Sequence, residues 1–213
     1  MDYKRILVLG THNKKKGVEL AELLEPYGFA LRTLADVSHA IEVEETGTTF
    51  AENARLKATV QAKHLNCWVL GEDSGLSVDA LDGGPGVYSA RYSGANATDE
   101  SNNAKLLAKL AELPLERRTA HYTCHAVLSD PLGVVRAEAE DYCRGRILFE
   151  RSGSGGFGYD PLFEIPEYHR TFGELGSSVK TVLSHRSRAM RAIIPQIVLL
   201  GASDVWDATQ GSN

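Results

Sequence analysis

Two adjacent acidic residues, Glu72 and Asp73, directly follow the apolar run Cys67–Gly71. A short run of β-forming residues is typical of a buried strand, and Gly75 predicts that the chain then leaves the strand in a loop. Ligands of α/β sheets bind at the carboxyl ends of strands. Neighbouring carboxylates repel each other unless a cation or a ligand compensates their charge. The pair therefore indicates either a cation-dependent site or a solvated turn, where charged residues commonly lie.

A polar run, Thr11-His12-Asn13-Lys14-Lys15-Lys16, follows a predicted strand at 5–10 and opens a predicted helix at about 14–27. Free amides at a helix N-terminus and a nearby lysine favour anions such as phosphate. The run is not a Walker P-loop, because the GxxxxGK[ST] pattern is missing. The alternative is a polar first turn with solvated lysines.

Three glutamates, Glu42, Glu44 and Glu45, lie ahead of a predicted helix at 49–65. Its first residues, Thr49–Glu52, have the pattern of a capping box. If this loop folds over the first strands, one carboxylate reaches the Glu72 and Asp73 pair. Three carboxylates with water and phosphate oxygens would suit Mg²⁺, a hard octahedral cation. The alternative is a solvated acidic loop.

The glycine-rich segment Gly153–Pro161 contains a formal GxGxxG pattern. It is not a dinucleotide fingerprint, because that pattern must open a helix and an extended segment follows here. The glycines would instead let the backbone approach a flat ligand. Phe157 could stack on a base, and Asp160 could accept a hydrogen bond from its ring N–H. The alternative is a glycine-rich turn with Phe157 in the core.

Ser184 is predicted to cap a C-terminal helix that runs to about residue 200, and Pro195 should kink or shorten this helix. His185 and Arg186 then fall in the first turn, where the helix dipole mildly disfavours basic side chains. This placement, with Lys180 shortly before, indicates donors directed at a ligand. The alternative is a surface helix with incidental charges.

The order of elements predicts an α/β fold, because strands and helices alternate in the first third of the chain. Further predicted strands lie at 30–34 and 67–71, and two more at 118–129 and 134–143 form an antiparallel hairpin. A chain of 213 residues can form one generous domain or two small lobes on one sheet. We predict a single domain over residues 1–213.

The composition opposes two classes of partner. The net charge is −5 with acids and bases mixed along the chain, so binding to nucleic acid is not expected. No apolar run is long enough to span a membrane, and the first residues lack a signal-peptide pattern. The three cysteines have no CxxC spacing, which is typical of reduced thiols. We expect a cytoplasmic protein.

Five segments, in this order, resemble the inosine triphosphate pyrophosphatase family over about residues 6–189. They are Glu45–Ala54, Asp73–Leu76, Gly84–Gly94, Gly155–Pro161 and Ser184–Arg186. The resemblance implies hydrolysis of ITP, dITP and XTP to the monophosphate and pyrophosphate, which keeps these nucleotides out of DNA and RNA. It also implies Mg²⁺, a homodimer, and a bent mixed β-sheet flanked by helices in two lobes with a central cleft.

The resemblance also implies a role for each matching residue. Thr11–Lys16 would hold the triphosphate, with Asn13 and Lys16 as contacts. Glu45, Glu72 and Asp73 would hold Mg²⁺, and Asp73 would be the general base. Ser74 and Lys180 would contact the nucleotide. The residues that would form the base pocket are Phe157, Gly158, Tyr159, Asp160, His185 and Arg186.

Two positions depart from the family pattern, since His12 replaces the usual Gly and Glu72 replaces the usual Asp. His12 could narrow the phosphate loop or donate to a phosphate, and Glu72 could shift the metal. Two rivals stay open at this point. One is a Maf-type pyrophosphatase of the same fold, opposed by Phe157–Asp160 and Ser184–Arg186. The other is a nucleotide-binding module without turnover, opposed by the intact Asp73 and Lys16.

Overall fold

The computed structural model describes residues 5–209 of the chain. The strands are β1 (Ile6–Gly10), β2 (Ala30–Thr33), β3 (Val69–Val78), β4 (Thr119–Ser129), β5 (Val135–Ile147), β6 (Phe163–Ile165) and β7 (Arg170–Thr171). The helices are α1 (Lys14–Leu24), α2 (Phe50–Leu65), α3 (Asp99–Lys109), α4 (Phe172–Leu183), α5 (His185–Gly201) and α6 (Asp204–Thr209). Among these residues, the structure contains no helix that is both long and apolar enough to cross a membrane.

The seven strands form one mixed sheet in the order β2-β1-β3-β4-β5-β6-β7. Strand β1 pairs in parallel with β2 and with β3, whereas β6 pairs antiparallel with β5 and β7. The predicted α/β class with a mixed sheet and flanking helices is confirmed. The central cleft stays a prediction.

Local sequence signals correctly predicted most of the first elements. The capping box of α2 is present, with Thr49 Oγ1 accepting from the amide of Glu52 and the Glu52 carboxylate accepting from the amide of Thr49. Thr98 caps α3 in the same way through Ser101. The predicted hairpin is formed by β4 and β5, whose turn is closed by a hydrogen bond from the amide of Asp130 to the carbonyl of Val134.

The prediction that the acidic pair lies in a loop after the strand was wrong. Strand β3 continues through Glu72 and Asp73 to Val78. The reason is that Leu76 and Val78, beyond the polar residues, are fully buried in a second apolar core. The strand therefore has apolar anchors on both sides of the acids, and Gly75 does not end it.

Two expectations about the C-terminal third also need correction. Helix α4 was not predicted, although Thr171 and Glu174 form the same capping box as the one that starts α2. Helix α5 runs to Gly201, close to its predicted end at about residue 200, so Pro195 does not shorten it, and the alternative of a kink stays a prediction. Pro195 is exposed, so water can solvate the helix backbone at the position where its N–H is missing. The flanking Ile194 and Ile197 are buried and anchor both halves of the helix.

The chain divides into two compact units. Unit 1 comprises the residues up to Asp73, then Cys124–Asp141, and the chain from Arg188 onward, and unit 2 comprises Ser74–Thr123 and Tyr142–Ser187. Each unit has its own apolar core: Leu9, Leu70 and Ile193 lie in that of unit 1, and Leu106 and Phe163 in that of unit 2. The prediction of a single domain stays a prediction.

The C-terminal helix α6 is attached to the core of unit 1 by an aromatic stack. The rings of Trp68 and Trp206 are nearly parallel, at an interplanar angle of 5°, with centroids 4.1 Å apart. Trp68 Nε1 also donates to the carbonyl of Trp206 at 3.3 Å. Arg5 adds a bidentate ion pair with Asp207 at the surface. Both tryptophans are fully buried.

Candidate active site

The two adjacent acids lie in unit 1, at the point where the parallel part of the sheet ends. Gly10, the last residue of β1, is in register with Gly71 of β3. Glu72 and Asp73 are therefore the first residues of β3 beyond its pairing with β1. Both are buried, with 1% and 5% of their surface exposed. The acids were expected at the carboxyl end of a parallel strand. They do lie beside the carboxyl end of β1, but they belong to the neighbouring strand β3, which continues beyond them.

Helix α2 approaches this part of β3 closely, because Gly71 has no side chain. A Cβ at Gly71 would lie 2.7 Å from the amide nitrogen of Ala58 and 2.9 Å from the carbonyl oxygen of Ala54. The backbones of helix and strand are thus nearly in contact. This proximity brings the polar residues of α2, Asn53 and Lys57, to Asp73.

Lys57 connects two of the three predicted metal ligands. Its Nζ lies 2.7 Å from Asp73 Oδ1 and 3.0 Å from Glu45 Oε1. The side chain of Lys57 is only 14% exposed, so the ammonium group is largely withdrawn from water. Glu45 is thus brought to Asp73, as the sequence analysis expected of one loop glutamate.

The third predicted ligand, Glu72, faces different partners. Its Oε1 lies 2.9 Å from Lys16 Nζ, and its Oε2 accepts from the Cys124 thiol at 3.4 Å. The longer side chain at position 72 is therefore paired with the lysine that the sequence analysis assigned to the phosphates. We refer to Glu45, Glu72 and Asp73, with Lys16, Lys57 and Asn53, as the acidic cluster.

The protonation of the acidic cluster follows from burial and from its excess of carboxylates. Burial raises the pKa of Asp73, and this effect outweighs the opposing attraction of Lys57 and Lys16. Burial alone would lower the pKa of Lys57, but the charges of Asp73, Glu45 and Glu72 outweigh it and raise the value. The carboxylates around Lys57 thus favour its protonated form, and the burial of Asp73 favours the neutral acid.

The donor chemistry of this cluster fits a hard divalent cation. Glu45 and Asp73 already converge on one positive charge, the ammonium of Lys57. Carboxylate oxygens are the preferred ligands of Mg²⁺. Within residues 5–209, however, no three His, Cys, Asp or Glu side chains are arranged as a metal-ligand group. The predicted set of Glu45, Glu72 and Asp73 stays a prediction.

The predicted phosphate loop forms the first turn of α1. Asn13 caps the helix, because its Oδ1 accepts from the amides of Lys15 and Lys16 at 3.0 and 3.2 Å. Thr11 Oγ1 accepts from the amide of Asn13. The two amides that would meet a phosphate are thus capped by Asn13, and Lys14 and Lys15 are exposed.

His12 is turned toward a neighbouring loop of unit 1. Its Nε2 lies 3.3 Å from the carbonyl oxygen of Ile41, to which a ring N–H can donate. The imidazole at the position of the usual glycine therefore contacts the segment that leads to the loop glutamates. A phosphate contact by His12 stays a prediction.

A second polar cluster, in unit 2, surrounds the ring of Phe157. Lys180 Nζ lies 4.2 Å and Arg186 Cζ 5.9 Å from the ring centroid, both within the range of cation–π attraction. Arg186 is 1% exposed, and its Nη2 donates to Ser74 Oγ at 3.0 Å. We refer to Ser74, Phe157, Asp160, Lys180, His185 and Arg186 as the aromatic cluster.

Asp160 organises the glycine-rich loop. Its Oδ2 accepts from the amide of Phe157 at 2.9 Å and from Lys180 Nζ at 2.7 Å. A Cβ at Gly156 would lie 2.1 Å from that oxygen, and Gly156 also has a positive φ of 73°. Only glycine therefore suits this position, because the carboxylate folds back beneath the loop.

The other predicted base-pocket residues, His185, Tyr159 and Gly158, contact further parts of unit 2. The His185 ring stacks on Tyr122, with centroids 4.7 Å apart and an interplanar angle of 11°. The Tyr159 hydroxyl donates to the carbonyl of Ser89 at 2.8 Å, within the core of unit 2. The amide of Gly158 donates to Asp99 Oδ2. Burial raises the pKa of both tyrosines, so their hydroxyls stay neutral.

Two residues of the acidic cluster, Asn53 and Lys57, were not predicted from the sequence. A signal for them existed in the sequence, because they are four residues apart on α2 and therefore share one face of the helix. Asn53 is fully buried, which is unusual for an amide unless it is hydrogen-bonded.

Comparison with known proteins agrees with these observations. The Ham1 family model matches residues 7–196. A dITP/XTP pyrophosphatase from Rhodopirellula baltica is 60% identical over 202 residues, which cover 95% of this chain and 97% of that protein. One from Desulforamulus reducens is 49% identical over 87% of this chain and 92% of that protein. The solved structure of a HAM1 protein from Coxiella burnetii has a TM-score of 0.83 at 36% identity, covering 93% of this chain and 100% of that one.

Proposed function

The chain belongs to the Ham1 family, and from this we propose that it hydrolyses ITP, dITP and XTP to the monophosphate and pyrophosphate. It is an enzyme, a nucleoside-triphosphate pyrophosphatase that acts on phosphoric anhydride bonds, and its substrates are non-standard purine triphosphates. Removing such nucleotides would keep them out of DNA and RNA. The observation that carries the chemical proposal is Asp73, a buried carboxylate whose two oxygens contact Lys57 and Asn53.

Asp73 is the proposed general base. Burial raises its pKa, and a carboxylate with a raised pKa accepts a proton more readily. A water oxygen would attack the α-phosphorus while its proton passes to Asp73. The bond from the α-phosphorus to the bridging oxygen breaks, and pyrophosphate leaves with the bonding electrons.

The lysines of the acidic cluster are proposed to hold the triphosphate charge. Lys16 lies in the first turn of α1, where the helix dipole also favours anions. A bound triphosphate would draw Lys16 from Glu72, since both are anions that compete for one ammonium group. Thr11–Lys16, with Asn13 and Lys16 as direct contacts, would thus bind the phosphates.

Family members generally use a divalent metal, which we propose to be Mg²⁺ held by Glu45, Glu72 and Asp73. Such an ion would neutralise phosphate charge and lower the pKa of a bound water. The acidic cluster supports this proposal through its hard oxygen donors and through the convergence of Glu45 and Asp73 on one positive charge, the ammonium of Lys57.

The aromatic cluster is proposed to bind the purine. Phe157 would stack on the base, and His185, Arg186, Lys180 and Ser74 would contact the nucleotide, with Gly158–Asp160 shaping the loop. Inosine and xanthine have an oxygen at the 6-position, which accepts hydrogen bonds from such donors. Adenine has an amino group there and would leave the buried donors without an acceptor. A mismatch of this kind can discriminate by about 10⁴-fold.

Further proposals concern the oligomeric state, the location and the partners of the enzyme. We propose a homodimer, as the resemblance implies, and we propose that the enzyme is cytoplasmic and has no nucleic acid or membrane partner. The Maf-type rival is disfavoured because the chain matches the Ham1 model over most of its length. A binding module without turnover is disfavoured because the acidic cluster retains a buried base.

The experiment that tests this function measures pyrophosphate release from ITP, XTP, dITP, ATP and GTP, with and without Mg²⁺, at mildly alkaline pH. We expect metal-dependent release from ITP, XTP and dITP far above that from ATP and GTP. Release from ATP as fast as from ITP would contradict the role of the aromatic cluster in recognising the oxygen at the 6-position. Nucleotide binding without release would contradict the role of Asp73 and favour the binding module.

A further inference from the structure

Asn53 is a buried amide that bonds to two different parts of unit 1. It is fully buried in the first turns of α2. Its Oδ1 accepts from the amide of Gly47 at 2.8 Å, and its Nδ2 donates to Asp73 Oδ2 at 3.3 Å. One side chain therefore connects the loop that carries Glu45 to the strand that carries Asp73.

The loop that carries Glu45 packs closely against the Asn53 side chain at Gly47. A Cβ at Gly47 would lie 2.6 Å from Asn53 Oδ1 and 2.6 Å from Glu52 Cβ, so a side chain at position 47 would displace the contact. The next residues are fixed as well, because Glu52 Oε2 accepts from the amides of Thr48 and Thr49 at 2.7 and 3.2 Å. The start of α2 thus holds the loop backbone up to two residues from Glu45.

The two oxygens of Asp73 have separate partners. Oδ1 faces the Lys57 ammonium at 2.7 Å, and Oδ2 faces the Asn53 amide at 3.3 Å. The two contacts together define the plane of the carboxylate. Rotation of the Asp73 side chain would break both of them, so Asn53 restricts the carboxylate to one orientation.

We propose that Asn53 is a positioning residue that holds Glu45 and Asp73 in fixed relation for the reaction. This inference rests on the proposed function, since it assigns a role in that reaction. Asn53 acts through the Gly47 backbone and through Asp73, and it need not touch the substrate. A misplacement of about 1 Å can cost about 10²-fold in rate, so such a residue matters even without direct contact.

The test uses three variants of the full chain. Asn53→Ala removes both hydrogen bonds. Asn53→Asp keeps the acceptor for the Gly47 amide but replaces the donor to Asp73 with a carboxylate oxygen. The matched control is Gln61→Leu, since Gln61 is also a buried amide of α2 but neither its Oε1 nor its Nε2 has a hydrogen-bond partner among the described residues.

In kinetic assays with ITP, we expect kcat to fall about 10- to 100-fold in both Asn53 variants. The KM for ITP should stay within about threefold, because the phosphate and base contacts remain. The control should stay within about twofold of the wild type in both constants. Wild-type kcat in folded Asn53→Ala would overturn the inference, and so would an equal loss in the control.

A second measurement does not depend on activity. Hydrogen exchange of the Gly47 amide, followed by NMR, should be slow in the wild type and in Asn53→Asp but fast in Asn53→Ala. Fast exchange in the wild type would overturn the positioning role, whether or not the enzyme is active.

If the wild type released no pyrophosphate from any triphosphate, the proposed function would fail, and the catalytic role of Asn53 would fail with it. A wild type that is active alongside an equally active Asn53→Ala would instead contradict the positioning role alone.

Discussion

The acidic cluster and the aromatic cluster contain similar charged residues, but the sign of the excess charge differs between them. The acidic cluster has three carboxylates and two lysines, an excess of one negative charge. The aromatic cluster has one carboxylate, Asp160, against the cations Lys180 and Arg186, so these three groups have an excess of one positive charge. The first can accept a further cation, whereas the second can accept a hydrogen-bond acceptor or an anion.

The two clusters also differ in what fixes their side chains. In the acidic cluster, charged groups from different elements hold one another, so the arrangement depends on charge. In the aromatic cluster, Asp160 is bound to the backbone of its own loop, and Phe157 is held beside two cations. We therefore expect the acidic cluster to respond to metal and pH, and the aromatic cluster to determine which base is accepted.

The largest expected effect comes from Asp73→Asn. The variant keeps the shape of the side chain but removes the proton acceptor, so kcat for ITP should fall about 10³-fold. Binding of a non-hydrolysable ITP analogue, measured by calorimetry, should persist. If the variant still turned over ITP at more than a tenth of the wild-type rate, another residue would have to be the general base. The proposed division of roles, with catalysis in the acidic cluster and base selection in the aromatic cluster, would then be wrong.

Lys57→Met should be the next largest change, because it removes the cation between Glu45 and Asp73. We expect kcat to fall about 10²-fold as the carboxylates move apart. Breaking a buried pair costs about 3–5 kcal/mol, and here we expect about 2 kcal/mol because Asp73 can take up a proton. Urea unfolding measures this cost. Lys63→Met, at an exposed position of the same helix, is the control and should be nearly neutral.

Arg186→Lys tests the specificity of the aromatic cluster. The lysine keeps the charge but loses the planar guanidinium that donates to Ser74 and lies near Phe157. We expect the ratio of kcat/KM for ITP to that for ATP to fall about 10²-fold, with little change in metal dependence. The exposed Arg191→Lys on the same helix is the control. An unchanged ratio would remove Arg186 from base selection.

The smallest expected effect is a pH-dependent stabilisation by Mg²⁺. Burial raises the pKa of Asp73 in the folded protein above its ordinary value of 3.8, so the folded state favours the protonated side chain. The resulting stabilisation is complete below pH 3.8 and is lost as the pH rises through the folded-state pKa. At neutral pH the carboxylate destabilises the free protein, and a bound cation offsets this. Mg²⁺ should therefore raise Tm by about 2–4 °C more at pH 8 than at pH 5. Equal shifts at both pH values would contradict this.

Much of the fold could be predicted because its signals are local. The capping boxes at Thr49 and Thr98 and the turn at Asp130 depend on residues within four positions of one another. The extension of β3 could not be predicted in this way. It depends on the burial of Leu76 and Val78 in the core of unit 2, which is a tertiary effect.

The candidate site shows the same limit. Residue types and order predicted that one of the three loop glutamates approaches the acidic pair, and the structure brings Glu45 and Asp73 to one ammonium group. That this group belongs to Lys57 depends on the close packing of α2 at Gly71, which no local pattern reveals. Likewise, the sequence indicated a nucleotide role for Lys180, but its ion pair with Asp160 depends on how the glycine-rich loop folds back.

The stack of Trp68 and Trp206 gives the protein a built-in optical reporter. These are the only two tryptophans of the chain, and both belong to unit 1. Tryptophan emission will therefore follow the unfolding of unit 1 alone, whereas unit 2 is visible only through its tyrosines. Because the indole rings are nearly parallel at 4.1 Å, their transitions should couple and give a paired signal in circular dichroism. Loss of that signal would reveal the detachment of α6 before the rest of the unit opens.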